Sequence, residues 1–160
     1  MTQDLIQDLC QRLDIAASGL GDIVAARLEP VPYLDQALRD LAHLAPVVTL
    51  SNVSAAEFDE GELRRVTAPY VVEFYPSCRT GFAKPDPRAF RHVARTHGVP
   101  ISDLVHIGDS WECDILGATR AGAVPVWVRP TDSPDLGYST PLSVSNLLAA
   151  VHLLHRIVHR

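Results

Sequence analysis

The sequence predicts an α/β domain in which a Rossmann-like parallel sheet is flanked by helices. Three features support this fold class: four short apolar runs, segments of helical periodicity between them, and turn-forming residues where the runs end. The runs cover residues 46–50, 70–75, 104–107 and 123–128. Strands that alternate with helices form βαβ units, which build parallel sheets. At 160 residues the chain has the size of one such domain.

Residues 1–30 are predicted to form a helical segment ahead of a sheet domain that spans residues 31–160. Apolar residues recur there at helical spacing in two groups: Leu5, Ile6, Leu9 and Leu13, then Leu20, Ile23, Val24 and Leu28. Pro30 and Pro32 end the second helix. A third helix follows, and its apolar face consists of Leu34, Ala37, Leu38, Leu41 and Leu44.

The first apolar run, residues 46–50, is predicted to be a buried strand that ends at Ser51 and Asn52. Residues 54–57 (Ser-Ala-Ala-Glu) have the form of a capping box. We therefore expect a helix to begin at Ser54 and to run to about Arg65. The residues at this strand end are polar, so they are candidates for a binding site.

The second strand, residues 70–75, leads into a loop that ends at Lys84. Asp86 followed by proline is typical of a helix N-cap with proline in the first helical position. This helix is predicted to end at Gly98 and to face inward with Phe90, Val93 and Ala94.

The third strand, residues 104–107, runs into a tight turn at Gly108 and then a helix that ends near Gly122. Asp109 and Asp114 lie where the turn passes into the helix. Two carboxylates at the carboxyl edge of a sheet suit a hard cation such as magnesium. The alternative is that both aspartates only cap the helix.

The fourth strand, residues 123–128, is followed by a polar loop over 130–141 and a closing helix from about Ser145. The apolar face of this helix consists of Leu147, Leu148, Val151, Leu154 and Val158. His152, His155 and His159 lie near one face at spacings that could bind a transition metal. A solvated polar face is the preferred interpretation, because arginines lie beside them.

Composition narrows the function classes. The net charge of −5 argues against a nucleic-acid partner, which needs clustered Lys and Arg. No apolar run reaches the roughly 20 residues that span a bilayer, so no membrane association is expected. Three cysteines without metal-ligand spacing and an N-terminus without a signal-peptide pattern favour a cytoplasmic protein.

Candidate site residues follow three of the predicted strands at one sheet edge. Ser51 and Asn52 follow the first strand, Lys84 lies beyond the second, and Asp109 with Asp114 follow the third. A hydroxyl, an ammonium group and a pair of carboxylates that binds a cation can together hold a phosphoryl group. The edge therefore predicts a phosphate pocket. Each residue alone is a weak signal, and their order and spacing carry the prediction.

The chain resembles the haloacid dehalogenase (HAD) superfamily of phosphohydrolases and dehalogenases, in the subgroup with a helical cap. Residues 49–52 (Thr-Leu-Ser-Asn) look like the second motif of that family, and residues 81–87 (Gly-Phe-Ala-Lys-Pro-Asp-Pro) like the third. Residues 108–114, running on to Gly122, look like the fourth. The resemblance implies a HAD-like core, and it makes residues 1–30 the remnant of a cap.

The resemblance also implies roles for the candidate residues. Ser51 would donate a hydrogen bond to the phosphoryl group, and Asn52 would line the same pocket. Lys84 would be the catalytic lysine that neutralises the phosphorylated intermediate. Asp109 would bind magnesium, the implied cofactor, and Asp114 would either join it or orient Lys84. The substrate class that follows is a small phosphorylated metabolite.

One family feature is missing from the sequence. Family members begin with a strand that ends in Asp-x-Asp, whose first aspartate attacks phosphorus and whose second is the acid/base. No two of the aspartates in this chain lie two residues apart. We therefore expect a hydrolase-like protein that is inactive or very weak by itself, a pseudoenzyme. The alternative is a non-catalytic scaffold that self-associates or pairs with a partner through its exposed sheet.

The missing strand would lie between the strands at 46–50 and 104–107 in the resembled fold. Two outcomes are expected from its loss. Either these two strands close directly on each other, or another chain supplies a strand, for example in a homodimer.

Overall fold

A computed structural model describes residues 33–56, 58–129 and 142–158. The predicted helices within residues 1–30 lie outside these ranges, and so do the whole predicted loop at 130–141 and His159. In the described part of the chain, no helix is long and apolar enough to cross a membrane.

The described elements alternate between helices and strands, as predicted. In chain order the first group is α1 (Leu34–Leu44), β1 (Val47–Ser51), α2 (Glu60–Thr67), β2 (Val71–Pro76) and α3 (Ser77–Thr80). The second group is α4 (Pro87–Thr96), a 3₁₀ turn (Ile101–Asp103), β3 (Val105–Gly108), a π-type turn (Trp111–Leu116) and α5 (Gly117–Ala121). The last group is β4 (Val124–Val128), β5 (Ser143–Val144) and α6 (Leu147–Val158).

All strand pairs in the described structure are parallel, which confirms the α/β class with a parallel sheet flanked by helices. β1 pairs with β2, and β3 pairs with β4. A short fifth strand, β5, pairs with the end of β4. The sequence analysis missed β5 because two residues are too few to show an alternating pattern.

Within the described residues, the strands form two separate sheets, β1–β2 and β3–β4–β5. The prediction that the strands at 46–50 and 104–107 close directly on each other is therefore wrong. Each of these strands keeps one edge without a partner among the described residues. Direct closure was one of the expected outcomes because backbone groups left unpaired in an interior cost about 1–3 kcal/mol each.

Two apolar clusters join the sheets to their helices. In the first, buried residues of α4 and α5 pack against Leu50 of β1 and Leu104 before β3. In the second, Leu38 of α1 packs against Phe74 of β2, together with Val47 of β1. β1 therefore contributes to both clusters. Helices α1 and α6 also pack on each other, as do α4 and α5.

The helix that follows β1 begins later than the capping box predicts. The N-cap is Asp59, whose carboxylate accepts a hydrogen bond from the Glu62 N–H at 3.0 Å. The predicted start at Ser54 is wrong. The physical reason is that Asp59 is also a good N-cap, and the helix that it starts places Leu63 against the second cluster.

Helix α4 agrees with its prediction. Asp86 accepts a hydrogen bond from the Arg88 N–H, and Pro87 occupies the first helical position. Its buried residues are Ala89, Phe90, Val93 and Ala94. The helix begins three residues after Lys84, so its packing helps to fix the position of the Lys84 backbone.

Candidate functional site

The carboxyl ends of β1 and β3 and the loop after β2 bring most of the predicted site residues together. The side-chain amide of Asn52 donates to the carbonyl of Lys84 at 2.7 Å, and its oxygen accepts from the Lys84 N–H at 2.8 Å. This pair of hydrogen bonds holds the backbone of Lys84 at the end of β1. The peptide bond between Lys84 and Pro85 is cis.

The side chain of Lys84 is held from a second direction. Its ammonium group donates to Oδ1 of Asp114 at 2.6 Å, and the two side chains are 13% and 5% exposed. The same oxygen accepts a hydrogen bond from Nε2 of His106 at 2.8 Å. Since an ionised carboxylate can only accept, Nε2 of His106 carries a hydrogen. Oδ2 of Asp114 accepts from the Ser110 N–H at 3.0 Å.

These contacts determine the charge state of Asp114. Burial alone would raise the pKa of its carboxyl, because burial disfavours the charged form. Hydrogen bonds from His106 and Lys84 outweigh this effect and hold the pKa of Asp114 well below its ordinary value. Asp114 is therefore an anion at neutral pH, and it offsets the charge of the lysine beside it.

Gly108 makes room for this carboxylate. A Cβ atom added at Gly108 would lie 2.3 Å from Cγ of Asp114, well inside van der Waals contact. The glycine in the turn after β3 is therefore required by the close approach of Asp114. The tight turn was predicted from the sequence, but this steric reason for it could not be.

Asp109 has a different environment from Asp114. It is exposed, and its carboxylate makes no hydrogen bond or ion pair with a described residue. Its backbone carbonyl accepts a hydrogen bond from the indole N–H of Trp127 at 3.1 Å. The Trp111 ring packs on Trp127 with ring centroids 4.9 Å apart. Two indoles therefore hold the loop that presents a free carboxylate.

Ser51 lies at the last position of β1 and is partly buried. Its hydroxyl has no hydrogen-bond partner in the described part of the chain, so it remains available to a ligand. The next turn is fixed to the loop after β2, because the Ser77 hydroxyl accepts from the Val53 N–H at 3.0 Å and donates to the Val53 carbonyl at 3.1 Å.

The structure thus joins Asn52, Lys84 and Asp114 through direct hydrogen bonds. Ser51 directly precedes Asn52 in the chain, and Asp109 directly precedes Ser110, whose N–H donates to Asp114. Sequence reasoning assigned no role to His106. A histidine in an apolar strand needs a polar partner when it is buried, and that requirement was the available signal. Of the three histidines predicted on the closing helix, His159 lies outside the described residues, so that group is not tested. Among residues 33–56, 58–129 and 142–158, no group of three His, Cys, Asp or Glu could hold a metal ion.

Comparison with known proteins shows what the chain as a whole is similar to. The chain is 42% identical over 67 residues to the phosphoserine phosphatase of Thermus thermophilus, a match that covers 38% of this chain and 27% of the phosphatase. Its fold resembles a 2-haloacid dehalogenase from Pseudomonas syringae, with 27% identity, a TM-score of 0.64, and coverage of 81% of this chain and 54% of that chain.

A third similar protein is the HAD hydrolase YfnB of Bacillus subtilis, whose structure was determined with bound magnesium. Its TM-score is 0.63 at 21% identity, with 78% of this chain and 54% of YfnB covered, so it supports the fold alone. The matches therefore span only about a quarter to about a half of each relative.

A model of one protein family matches residues 4–122, which include every candidate site residue from Ser51 to Asp114. With most of the chain matched by that model and the same fold in the solved relatives, this chain belongs to the haloacid dehalogenase-like hydrolases.

Proposed function

We propose that this chain forms the phosphate-binding part of a HAD-type hydrolase for small phosphorylated metabolites and is inactive or very weak by itself. The observation that carries the proposal is the position of Lys84, whose backbone is held by Asn52 and whose ammonium group is held by Asp114. The similarity to a phosphoserine phosphatase supports the substrate class.

Each residue has a role in this proposal. The free hydroxyl of Ser51 donates a hydrogen bond to a phosphoryl oxygen. The ammonium group of Lys84 offsets the negative charge of the phosphate while it also forms an ion pair with Asp114. Both polar atoms of the Asn52 side chain are engaged with Lys84, which favours a positioning role for Asn52 over direct contact with phosphate.

The donor set fits a magnesium ion that keeps most of its water. Among the described residues the carboxylate of Asp109 has no partner, whereas both oxygens of Asp114 already accept hydrogen bonds from Lys84, His106 and Ser110. Magnesium commonly binds through one or two carboxylates, waters and the substrate phosphate. We therefore assign Asp109 as the ligand and Asp114 as the residue that orients Lys84. When bound, the ion would neutralise phosphate charge.

Turnover is expected to be very low because the sequence carries no Asp-x-Asp pair. Loss of an essential nucleophile lowers turnover by about a millionfold in a serine protease, which sets the expected scale.

The free thiols of Cys78 and Cys113 are consistent with a reducing compartment, and we propose a cytoplasmic location.

The binding half of this proposal can be tested without catalysis. Lys84 is the only lysine of the chain, so protein labelled with ¹⁵N-lysine gives one lysine backbone amide signal. Inorganic phosphate should shift this signal in a saturable way, and magnesium should increase the affinity for phosphate. In Asp109→Asn, magnesium should no longer increase the affinity for phosphate. The affinity measured without magnesium should be the same as in the wild type. A signal that does not respond to phosphate would contradict the proposal.

The second candidate function is a non-catalytic protein that binds a partner or a second copy through its sheet. One specific observation favours it: β1 and β3 each pair on one side only within the described residues. Exposed strand edges are templates for pairing with another chain. A monomer in sedimentation that recovers no partner would count against this function.

A further inference from the structure

We propose that His106 is a positioning residue for phosphate binding: it occupies one acceptor site of Asp114, so that the ammonium group of Lys84 is shared with the ligand. His106 lies in β3 and acts through Asp114, to which its Nε2 donates a hydrogen bond. The inference rests on the phosphate-binding function proposed above and adds to it a residue that determines how strongly the lysine binds the ligand.

Lys84 and His106 donate to the same oxygen of Asp114. The ammonium group donates to Oδ1 at 2.6 Å, and Nε2 of the imidazole donates to it at 2.8 Å. A carboxylate oxygen offers about two lone-pair sites, so these two donors use Oδ1 fully. An ammonium group has three N–H donors. Within the described residues, Lys84 therefore binds this carboxylate through one donor, and the others can turn to a phosphate.

The position of the imidazole is fixed by packing. The side chain of His106 is 12% exposed, and that of Asp114 is 5% exposed. Phe90 of α4 is 0% exposed, and its ring meets the imidazole edge-on with centroids 5.0 Å apart. The donor from β3 is therefore held against the carboxylate whether or not a ligand is bound.

A buried anion needs donors that remain when a ligand arrives. A buried charge that loses its partner is strongly destabilising. When Lys84 turns toward a phosphate, Asp114 still accepts hydrogen bonds from His106 and from the Ser110 N–H. His106 therefore lowers the free energy that the protein loses when its lysine moves toward the ligand.

Loss of the imidazole should weaken phosphate binding for two reasons of the same sign. The open site on Oδ1 would let Lys84 give a second hydrogen bond to Asp114, which draws the ammonium group away from the ligand. Asp114 would also depend more on the lysine, so phosphate would have to compete with a stronger contact. A histidine that only fills space predicts a different result, namely lower stability with unchanged phosphate affinity of the folded protein.

Three variants of the full chain separate these cases. His106→Phe removes the donor and keeps an aromatic ring beside Phe90. His106→Gln restores an N–H donor, because the side-chain amide of glutamine carries its nitrogen about as far from the backbone as Nε2 of histidine. Asn146→Ala removes a hydrogen bond at the start of α6 and is the control for a general loss of stability. Urea unfolding identifies the conditions in which each variant is folded.

Phosphate affinity is read from the single lysine of the chain. Each variant carries ¹⁵N at the side-chain nitrogen of lysine, and inorganic phosphate is titrated without magnesium so that the metal ligand does not contribute. A second readout needs no donor-free variant. In wild-type protein labelled with ¹⁵N-histidine, the Nε2–H signal of His106 is identified by its loss in His106→Gln. This signal should shift with phosphate at the same affinity as the lysine signal.

The positioning role predicts that His106→Phe lowers phosphate affinity by about fivefold or more, the effect of one lost hydrogen bond. His106→Gln should stay within about threefold of the wild type, and Asn146→Ala should be unchanged. The role is overturned by wild-type affinity in folded His106→Phe, by an equal loss in His106→Gln or Asn146→Ala, or by a His106 signal that ignores phosphate while the lysine signal responds. A wild-type lysine signal that does not respond to phosphate would overturn the phosphate-binding function itself, and this role with it.

Discussion

The carboxamide of Asn52 pairs with both backbone polar groups of Lys84, with distances of 2.7 and 2.8 Å. The two residues are 32 positions apart in the chain, so this contact fixes the loop after β2 against the end of β1. This contact with the backbone positions the only lysine of the chain at the sheet edge, independently of the contacts that its side chain makes.

Removal of the Asn52 side chain should loosen this loop. Asn52→Ala is expected to lower the free energy of unfolding by about 1–2 kcal/mol, because two exposed hydrogen bonds are lost. Asn52→Asp keeps the acceptor for the Lys84 N–H but places a carboxylate oxygen against the Lys84 carbonyl, so it should not rescue the contact. Urea unfolding and the ¹⁵N-lysine signal measure the two effects.

The matched control is Asn146→Ala at the start of α6. Its side chain accepts a hydrogen bond from the Ala149 N–H, so its loss should cost about 1 kcal/mol as a lost helix cap. The lysine signal should not move in this variant. An equal shift in both variants would mean that the signal reports general loosening and not the contact with Asn52.

Lys84 and Asp114 form a buried ion pair, and removal of one partner should be costly. Lys84→Met is expected to lower the free energy of unfolding by about 3–5 kcal/mol, because the Asp114 anion is left with fewer donors. The double variant with Asp114→Asn should lose less than the sum of the single variants, by 0.5–3 kcal/mol on the usual scale for contacting residues. Additive losses would show that the pair does not interact in solution.

Stability should depend on pH through Asp114. Its pKa is lowered in the folded protein, so its contribution is fully present above the unfolded value near 3.9 and is lost as pH falls toward the folded value. The difference in unfolding free energy between the wild type and Asp114→Asn should therefore be constant from about pH 6 to 8 and should shrink below about pH 4. A difference that grows in acid would contradict the sign of this shift.

Trp127 should position the loop that presents Asp109. Trp127→Phe keeps an aromatic ring in the core but removes the N–H that Asp109 accepts, at a cost of about 1 kcal/mol. We expect weaker binding of magnesium in the presence of phosphate, measured by calorimetry. Trp111→Phe leaves the hydrogen bond in place and serves as the control. Equal magnesium affinity in the wild type and Trp127→Phe would show that this hydrogen bond does not matter for the site.

The local chemistry of the site could be read from the sequence, whereas its contacts could not. Lys84, Asp109 and Asp114 lie in short, ordered motifs, so their place at one sheet edge was predictable. The contact of Asp114 with His106 was not, because His106 precedes it by eight residues and looks like an ordinary strand residue. The helix start at Asp59 was mispredicted because two capping signals compete within a few residues.

The split of the sheet was the least predictable feature. Hydrophobic pattern identifies strands, but it does not say which edges pair, because pairing depends on contacts between distant parts of the chain. From the cost of unpaired backbone groups, either direct closure of β1 on β3 or a strand from another chain was expected, and the described residues show no direct closure. The packing of Leu50 and His106 against the helical layer holds the two strands without that pairing.

The central claim is that this chain binds phosphate but lacks the group that attacks it, and a phosphatase assay tests this most directly. The chain is incubated with magnesium and p-nitrophenyl phosphate, and release of nitrophenol is compared with that from Asp109→Ala. We predict no turnover above the variant, while phosphate still shifts the Lys84 signal. Robust turnover that Asp109→Ala abolishes would contradict the claim.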